Sequence, residues 1–110
     1  MADTRIIALF NLKPGVSLED YEAWARTVDL PTVNHLPSIR SFEVFRATDV
    51  MGSQAPSPYQ YVEIIDVKDV GQFGQDVATP AMQSVASQFS GMADVVFLNT
   101  EKIEWGQDKG

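Results

Sequence analysis

The stretch Arg5-Ile-Ile-Ala-Leu-Phe-Asn-Leu12 is apolar on both of its alternating faces, with Ile7 and Leu9 on one and Ile6, Ala8 and Phe10 on the other. Side chains of a strand point alternately to the two faces of a sheet, so a strand that is apolar on both sides is buried on both sides. One side has to meet helices. The other has to meet a different layer.

The chain beyond this strand reads as a short series of punctuated elements. Lys13-Pro14-Gly15-Val16 is a turn, and Ser17 is a natural N-cap with Asp20 at the third helical position. Val16 and Tyr21 occupy the positions of a hydrophobic staple. The spacing predicts a helix to about Leu30, burying Leu18, Tyr21, Trp24, Ala25 and Val28, with Glu19, Glu22, Arg26 and Asp29 mostly toward solvent. Pro31-Thr-Val-Asn-His35-Leu-Pro37 then reads as a stiff, irregular elbow, because its two prolines fix φ and bias the residues before them away from helix. Residues 39–47 alternate as a second strand, residues 48–58 are a loop by composition, and residues 59–67 form a third strand. Asp69 caps a helix carrying Val70, Phe73 and Val77. Thr79-Pro80 restarts it with Met82, Val85, Ala86 and Phe89 on one side, and Gly91 is the expected stop. Residues 94–103 are the fourth strand.

This order, β-α-β-β-α-β, is the ferredoxin-like split βαβ plan of the α+β class. It places the helices on one face of a four-stranded antiparallel sheet and leaves the other face uncovered but apolar. Two such sheets packed face to face answer that problem, so the expected assembly is a homodimer, a dimeric α/β barrel. The expected organisation is one domain over residues 1–105 and a flexible polar tail over residues 106–110.

The composition narrows the function. The chain has 110 residues, a net charge of −7 and no cysteine. Phosphate binding needs clustered Lys and Arg, so neither nucleic acid nor an anionic membrane is an expected partner. Without cysteine there is no thiol nucleophile, thiolate metal site or disulfide, which suits a cytoplasmic location. The first residues show no signal-peptide pattern, and no apolar run approaches the roughly 20 residues that span a bilayer. No metal-ligand spacing is present. Gly71-Gln-Phe-Gly74 is not a dinucleotide fingerprint, so no cofactor is expected.

The side chains suited to chemistry are few. His35 is the single histidine, the residue type whose unperturbed pKa lies nearest neutrality, and it is the first candidate for proton transfer; the plainer reading is a turn residue that packs. A hairpin centred near Ser53 sets Glu43 opposite Glu63 with Phe45 and Tyr61 beside them. Like charges that close would leave one proton shared. The plainer reading has each glutamate pair with a Ser, Tyr, Lys or Arg, or reach a rim. Tyr21, Trp24, Phe73, Met82, Phe89 and Phe97 are either walls of an apolar pocket or ordinary core. Asn34 either orients His35 or serves the turn.

The plan, the length and the segment Tyr21-Glu-Ala-Trp24 through Asn34-His35-Leu-Pro-Ser-Ile-Arg-Ser-Phe-Glu-Val-Phe45 resemble the REDY-like HapK family of dimeric α/β barrel proteins, over about residues 4–104. The resemblance implies a place in prodigiosin-type pigment biosynthesis. The wider superfamily holds cofactor-free monooxygenases, isomerases, cyclases and haem proteins, so fold does not choose the chemistry. The haem branch normally carries its histidine on the second helix, and none is present there. The resemblance sets His35 near the mouth of the cleft between helices and sheet. The expected function is therefore a cofactor-independent acid/base enzyme, catalysing cyclisation, condensation or dehydration of a pyrrole- or indole-like aromatic molecule. His35, Glu63 and Glu43 would be catalytic, and Tyr21, Trp24, Asn34, Tyr61, Phe73, Met82 and Phe97 would hold the ring. The alternatives are a cofactor-free monooxygenase and a non-catalytic protein that shelters a pathway intermediate.

Overall fold

The computed structural model describes residues 4–106. Its strands are β1 (Thr4–Leu12), β2 (Ile39–Arg46), β3 (Tyr61–Val67) and β4 (Ala93–Thr100). They form one antiparallel sheet in the order β2-β3-β1-β4. The helices are α1 (Leu18–Trp24), a π-helical turn (Ala25–Asp29), α2 (Leu30–Asn34), α3 (Val70–Val77) and α4 (Pro80–Met92). This is the ferredoxin-like plan with helices on one face. The expected tail falls outside the described residues except for Gly106.

Local chemistry sets the boundaries. Gly15 has φ +90°, the value a turn with proline one place earlier requires, and the Val16 amide closes that turn on the Lys13 carbonyl at 3.1 Å. Ser17 Oγ accepts the Asp20 amide, Asp69 Oδ1 the Gln72 amide and Thr79 Oγ1 the Met82 amide, so each expected cap is in use. Gly91 does not stop α4. The helix runs through Met92 and enters β4 at Ala93 in extended backbone.

The elbow expected at residues 31–37 is a helix for most of its length. Leu30 donates its amide five residues back, to the Ala25 carbonyl, and the chain continues as α2 through Pro31 to Asn34. A proline inside a regular α-helix has no amide to donate, and its ring meets the carbonyl four residues earlier. The wider π turn just before Pro31 relieves both conflicts. It also changes which residues face the sheet. The buried stripe runs Tyr21, Ala25, Asp29 and Val33, every fourth residue, whereas Val28 is only half-buried. Asp29, expected toward solvent, is 5% exposed.

The core lies between helices and sheet, in two joined clusters. One is aromatic, with Phe10, Tyr21, Tyr61 and Phe89, and the other aliphatic, with Val33, Ile39, Phe42, Ile65 and Val67. A bulge between Ile39 and Ser41 lets both Ile39 and Phe42 point inward despite their odd spacing. On the opposite face, Ile7, Leu9, Val62 and Ile64 are half-buried, while Phe45, Val96 and Leu98 are 41–48% exposed. No helix among the described residues is long and apolar enough to cross a membrane.

Candidate active site

A cavity of about 410 Å³ opens between the helical layer and the sheet. The sheet contributes Phe42, Glu63, Ile65, Val95 and Phe97 to its wall. Phe73 and Val77 come from α3, and Met82, Val85, Ala86, Phe89 and Ser90 from α4. Asp29 and Val33 close it from the helices before β2. The wall is almost wholly apolar, and two carboxyl groups stand in it.

Glu63 reaches the cavity because the strand register puts it there. It lies across from Val44 on β2 and Ala8 on β1, and Ala8 in turn opposes Phe97 on β4. All four belong to the helix-covered face. Ala8 and Glu63 are both buried there, Glu63 at 3% exposed. Asp29 arrives from above, turned inward by the π turn. Among the described residues neither carboxyl has a hydrogen-bond partner. Water is the medium that stabilises an ionised carboxylate, and an apolar wall replaces it poorly. Burial therefore pushes the Asp29 carboxyl up to about 6. Burial first, and then the nearby Asp29 charge, push Glu63 up to about 8. At neutral pH Glu63 holds its proton and Asp29 has lost it. The pair offers one acid and one base.

The expected Glu43–Glu63 pair does not form. Glu43 lies across from Ile64, one residue out of the expected register, and is exposed on the open face of the sheet. Because strand side chains alternate, a slip of one residue moves a side chain through the sheet. The connection between β2 and β3 is not symmetric about Ser53: Asp49 bridges Pro56, and the Val50 amide donates to the Ala55 carbonyl.

His35 does not face the cavity either. It is the exposed C-cap residue of α2, with Nδ1 2.6 Å from the Pro31 carbonyl oxygen. Asn34 does not orient it. The Asn34 amide instead brackets one strand residue, its Nδ2 donating to the Phe42 carbonyl at 3.0 Å and its Oδ1 accepting the Phe42 amide at 2.9 Å. That bracket fixes α2 to β2.

Of the expected ring-binding residues, Phe73, Met82 and Phe97 stand in the cavity wall. Trp24 does not. Its Nε1 donates to Gln88 Oε1 at 2.7 Å and its ring stacks on Phe89, tying α1 to α4. Tyr21 and Tyr61 border a smaller outer notch of about 220 Å³ with Glu22, Arg26 and Arg46. There Arg46 clasps Glu22 through two nitrogens at 2.7 and 3.1 Å, and the Tyr61 hydroxyl donates to Glu22 Oε2 at 2.7 Å. These donors hold the Glu22 carboxyl down at about 2. The Tyr21 hydroxyl is fully buried and has no hydrogen-bond partner.

Asp29 is the site residue that the sequence pattern hid. Its signal is Pro31 two places later, inside a pattern that is otherwise helical. Among the described residues no three His, Cys, Asp or Glu side chains converge as metal ligands would.

The family model of the REDY-like protein HapK matches residues 4–103. HapK from Hahella chejuensis is 32% identical, with a TM-score of 0.74 over 97% of this chain and 99% of that one. SnoaB from Streptomyces nogalater, described as a cofactor-independent oxygenase, is 15% identical, with a TM-score of 0.70 over 98% and 100% of the two chains. A dimeric ferredoxin-like protein of unknown function from Thermobifida fusca is 18% identical, with a TM-score of 0.67 over 89% of each chain. The last two likenesses concern the fold alone. No curated protein matches the chain.

Proposed function

We propose that this chain, which belongs to the REDY-like protein HapK family, is a cofactor-independent acid/base enzyme acting on a flat, apolar intermediate of pigment biosynthesis, pyrrole- or indole-like in size and shape. The observation that carries this reading is the pair of carboxyl groups in an apolar cavity, with Asp29 held up to about 6 and Glu63 up to about 8. Two titratable groups whose surroundings set their pKa values on either side of neutrality supply the base and the acid of a proton-transfer reaction. Phe42, Phe73, Met82 and Phe97 give such a molecule apolar surface on several sides. Cyclisation, condensation and dehydration all fit a site that moves protons and needs no redox partner. The family's link to prodigiosin-type pigments supports the pathway.

The working unit in this reading is a homodimer closed through the open sheet faces. Ile7, Leu9, Phe45, Val62, Ile64, Val96 and Leu98 form one continuous apolar surface there. The dimeric protein from Thermobifida fusca shares the fold.

The test is turnover of pyrrole- and indole-bearing aldehydes and ketones, followed by absorbance with dissolved oxygen monitored. Glu63→Gln should lower kcat by about 10²–10⁴ while the melting profile stays intact. Full activity in that variant overturns the acid/base reading. Oxygen consumed in step with product would instead assign the site to cofactor-independent oxygenation, the activity named for SnoaB.

A further inference from the structure

We propose that the cavity takes its flat aromatic ligand as a cation, a ring nitrogen base bound in its protonated N–H⁺ form, with the Asp29 carboxylate as counter-charge and the phenylalanine rings of the wall around it. The inference rests on the reading of this cavity as an aromatic site and adds to it the charge of the molecule it admits.

The polarity of the wall is one-sided. Of the side chains that line the cavity, only Asp29, Glu63 and Ser90 carry oxygen or nitrogen, and none is Lys, Arg or His. An ionised carboxyl only accepts hydrogen bonds, while a hydroxyl and a protonated carboxyl each donate one. An anionic ligand would find no positive charge in this wall and would stand against Asp29. The two carboxyl residues are 5% and 3% exposed, and among the described residues no protein group donates to either side chain. Each is therefore a buried polar group whose hydrogen bonds are left to the contents of the cavity.

The energetics favour a flat cation over a compact one. A buried ion pair ordinarily strips water from both partners, which is its main cost. Here folding has already stripped the Asp29 carboxyl, as its rise to about 6 records, so an entering cation bears only its own share. Four rings stand in the same wall, those of Phe42, Phe73, Phe89 and Phe97. The face of an aromatic ring is electron-rich and attracts a cation, more strongly once water is excluded. A delocalised aromatic cation spreads its charge against such rings while its N–H⁺ makes a charge-assisted hydrogen bond to the carboxylate. A small ammonium ion makes the hydrogen bond and leaves the apolar wall unfilled.

The elements packed around the cavity leave Asp29 and Glu63 as the groups that change charge near neutrality. No residue of α4 is charged. Asp76 on α3 is held below its ordinary value by hydrogen bonds from Ser38 and Gln72. Glu22 on α1 is held at about 2 by Arg46 and Tyr61. The Tyr21 and Tyr61 phenols are pushed well above their ordinary range, first by burial, and stay neutral. Asp66 on β3 lies on the other face between Arg5 and Arg40, and Glu43 on β2 and Asp94 on β4 are exposed. At neutral pH the cation meets an Asp29 anion and a neutral Glu63. Its charge favours the ionised form of both, so binding lowers the Glu63 titration.

The experiment compares three molecules of similar outline by calorimetry. They are 4-aminoquinoline, which is protonated on its ring nitrogen at neutral pH, 1-aminonaphthalene, which has a CH in that place and no charge, and the 1-naphthoate anion. At pH 7.5 the cation should bind more tightly than the neutral amine by about tenfold or more, and 1-naphthoate more weakly than either. At pH 5, where Asp29 is protonated, the cation's advantage should shrink severalfold although its own charge is unchanged. Asp29→Asn, shown by circular dichroism to be folded, should remove the advantage at pH 7.5 without weakening 1-aminonaphthalene. In the parent protein, carbon-13 NMR should find Glu63 titrating below about 8 once 4-aminoquinoline is bound. The pH and NMR arms need no variant. If 1-aminonaphthalene binds as tightly as 4-aminoquinoline, or 1-naphthoate binds best, the cation proposal is overturned while the cavity stands as an aromatic site, its chemistry still decided by turnover in Glu63→Gln. If the cation's advantage survives both pH 5 and Asp29→Asn, it arises from the chain's net charge of −7 rather than from this cavity, and the proposal is overturned. If none of the three binds, the aromatic reading of the cavity fails as well.

Discussion

Asp29 and Glu63 meet in one apolar cavity, the first brought in by a π turn and the second by strand register, and neither carboxyl has a hydrogen-bond partner among the described residues. Each takes its proton more tightly in the folded chain than in the unfolded one. That fact makes the pair visible to measurements that need no substrate.

Folding stability should fall as pH rises from about 4.5 to about 8, and Glu63→Gln should remove much of that fall. Glu63 is pushed up from 4.5 to about 8. Below that window it is protonated in both states and contributes no slope. Within it the unfolded chain releases the proton and the folded chain keeps it, so the folded state loses ground with each unit of pH. Asp29 adds the same sign between 3.8 and about 6. Glu22 has the opposite sign, but its change lies between 4.5 and about 2, outside the window. The amide variant should be more stable than the parent at pH 8.5 by on the order of 2 kcal/mol, several degrees in Tm. Thermal melts at half-unit intervals measure it. Parallel profiles for the two proteins would count against a buried, charged Glu63.

The open sheet face should hold two chains together, and Leu98→Asp should separate them. Leu98 is 44% exposed, beside Val96 at 41% and, across β1, the half-buried Ile7. A pair of such faces would bury roughly 1,200–2,000 Å² in total, the range of stable associations. Since the position faces away from the core, the variant should remain folded. Light scattering at micromolar concentration should give twice the chain mass for the parent and the single mass for the variant. A parent that is monomeric would refute the dimer.

The fold was legible because each element announces itself locally. The Ser17, Asp69 and Thr79 caps, the Pro14-Gly15 turn and the two-faced first strand suffice for the order of elements and for the apolar outer face. The site was legible only in pieces. Phe73 and Met82 were visible as apolar stripe residues and Phe97 as a candidate aromatic wall, but whether such residues line space or fill it depends on packing between layers. Glu63 was recognisable as a carboxylate in a strand, whereas its partner depended on a register that one residue of loop asymmetry reverses. Asp29 was misplaced because periodicity assumes 3.6 residues per turn, and the π turn before Pro31 breaks that assumption. His35 drew attention for its chemistry, but its position at the end of α2 turns it to solvent.

His35→Ala should change little. The residue is exposed and its ring meets the Pro31 carbonyl in its own helix. Exposed positions of this kind move stability by about 0.5 kcal/mol or less. Turnover, once a substrate is in hand, should stay within about twofold of the parent. A loss of 10² or more would return the proton-transfer role to His35.

Asn34→Asp should be worse than its near-identical shape suggests. The Asn34 amide donates to the carbonyls of Leu30 and Phe42 while its oxygen accepts the Phe42 amide. A carboxylate keeps the last of these and turns the other two into contacts between oxygens. The expected cost is about 2 kcal/mol, read as a lower denaturation midpoint, against about 1 kcal/mol for Asn34→Ser, which removes the bracket without adding charge. Equal midpoints would show that the bracket does not hold β2.

Asp29→Asn should lower the Glu63 titration, while Glu63→Gln should leave Asp29 nearly where it is. The asymmetry follows from the order in which the two lose their protons. Asp29 titrates near 6, when Glu63 is still neutral and exerts no charge on it; burial is the cause of its shift. Glu63 titrates near 8, after Asp29 has become an anion, and that anion is the second cause of its shift after burial. Removing the Asp29 charge should therefore bring Glu63 down from about 8 but leave it above the ordinary 4.5, since the apolar wall remains. Carbon-13 NMR of carboxyl-labelled glutamate and aspartate reads both titrations directly. A Glu63 titration that stays put in Asp29→Asn would mean that the two groups do not share one electrostatic site. A Glu63 that falls to the ordinary value would mean that the charge, rather than burial, holds its proton.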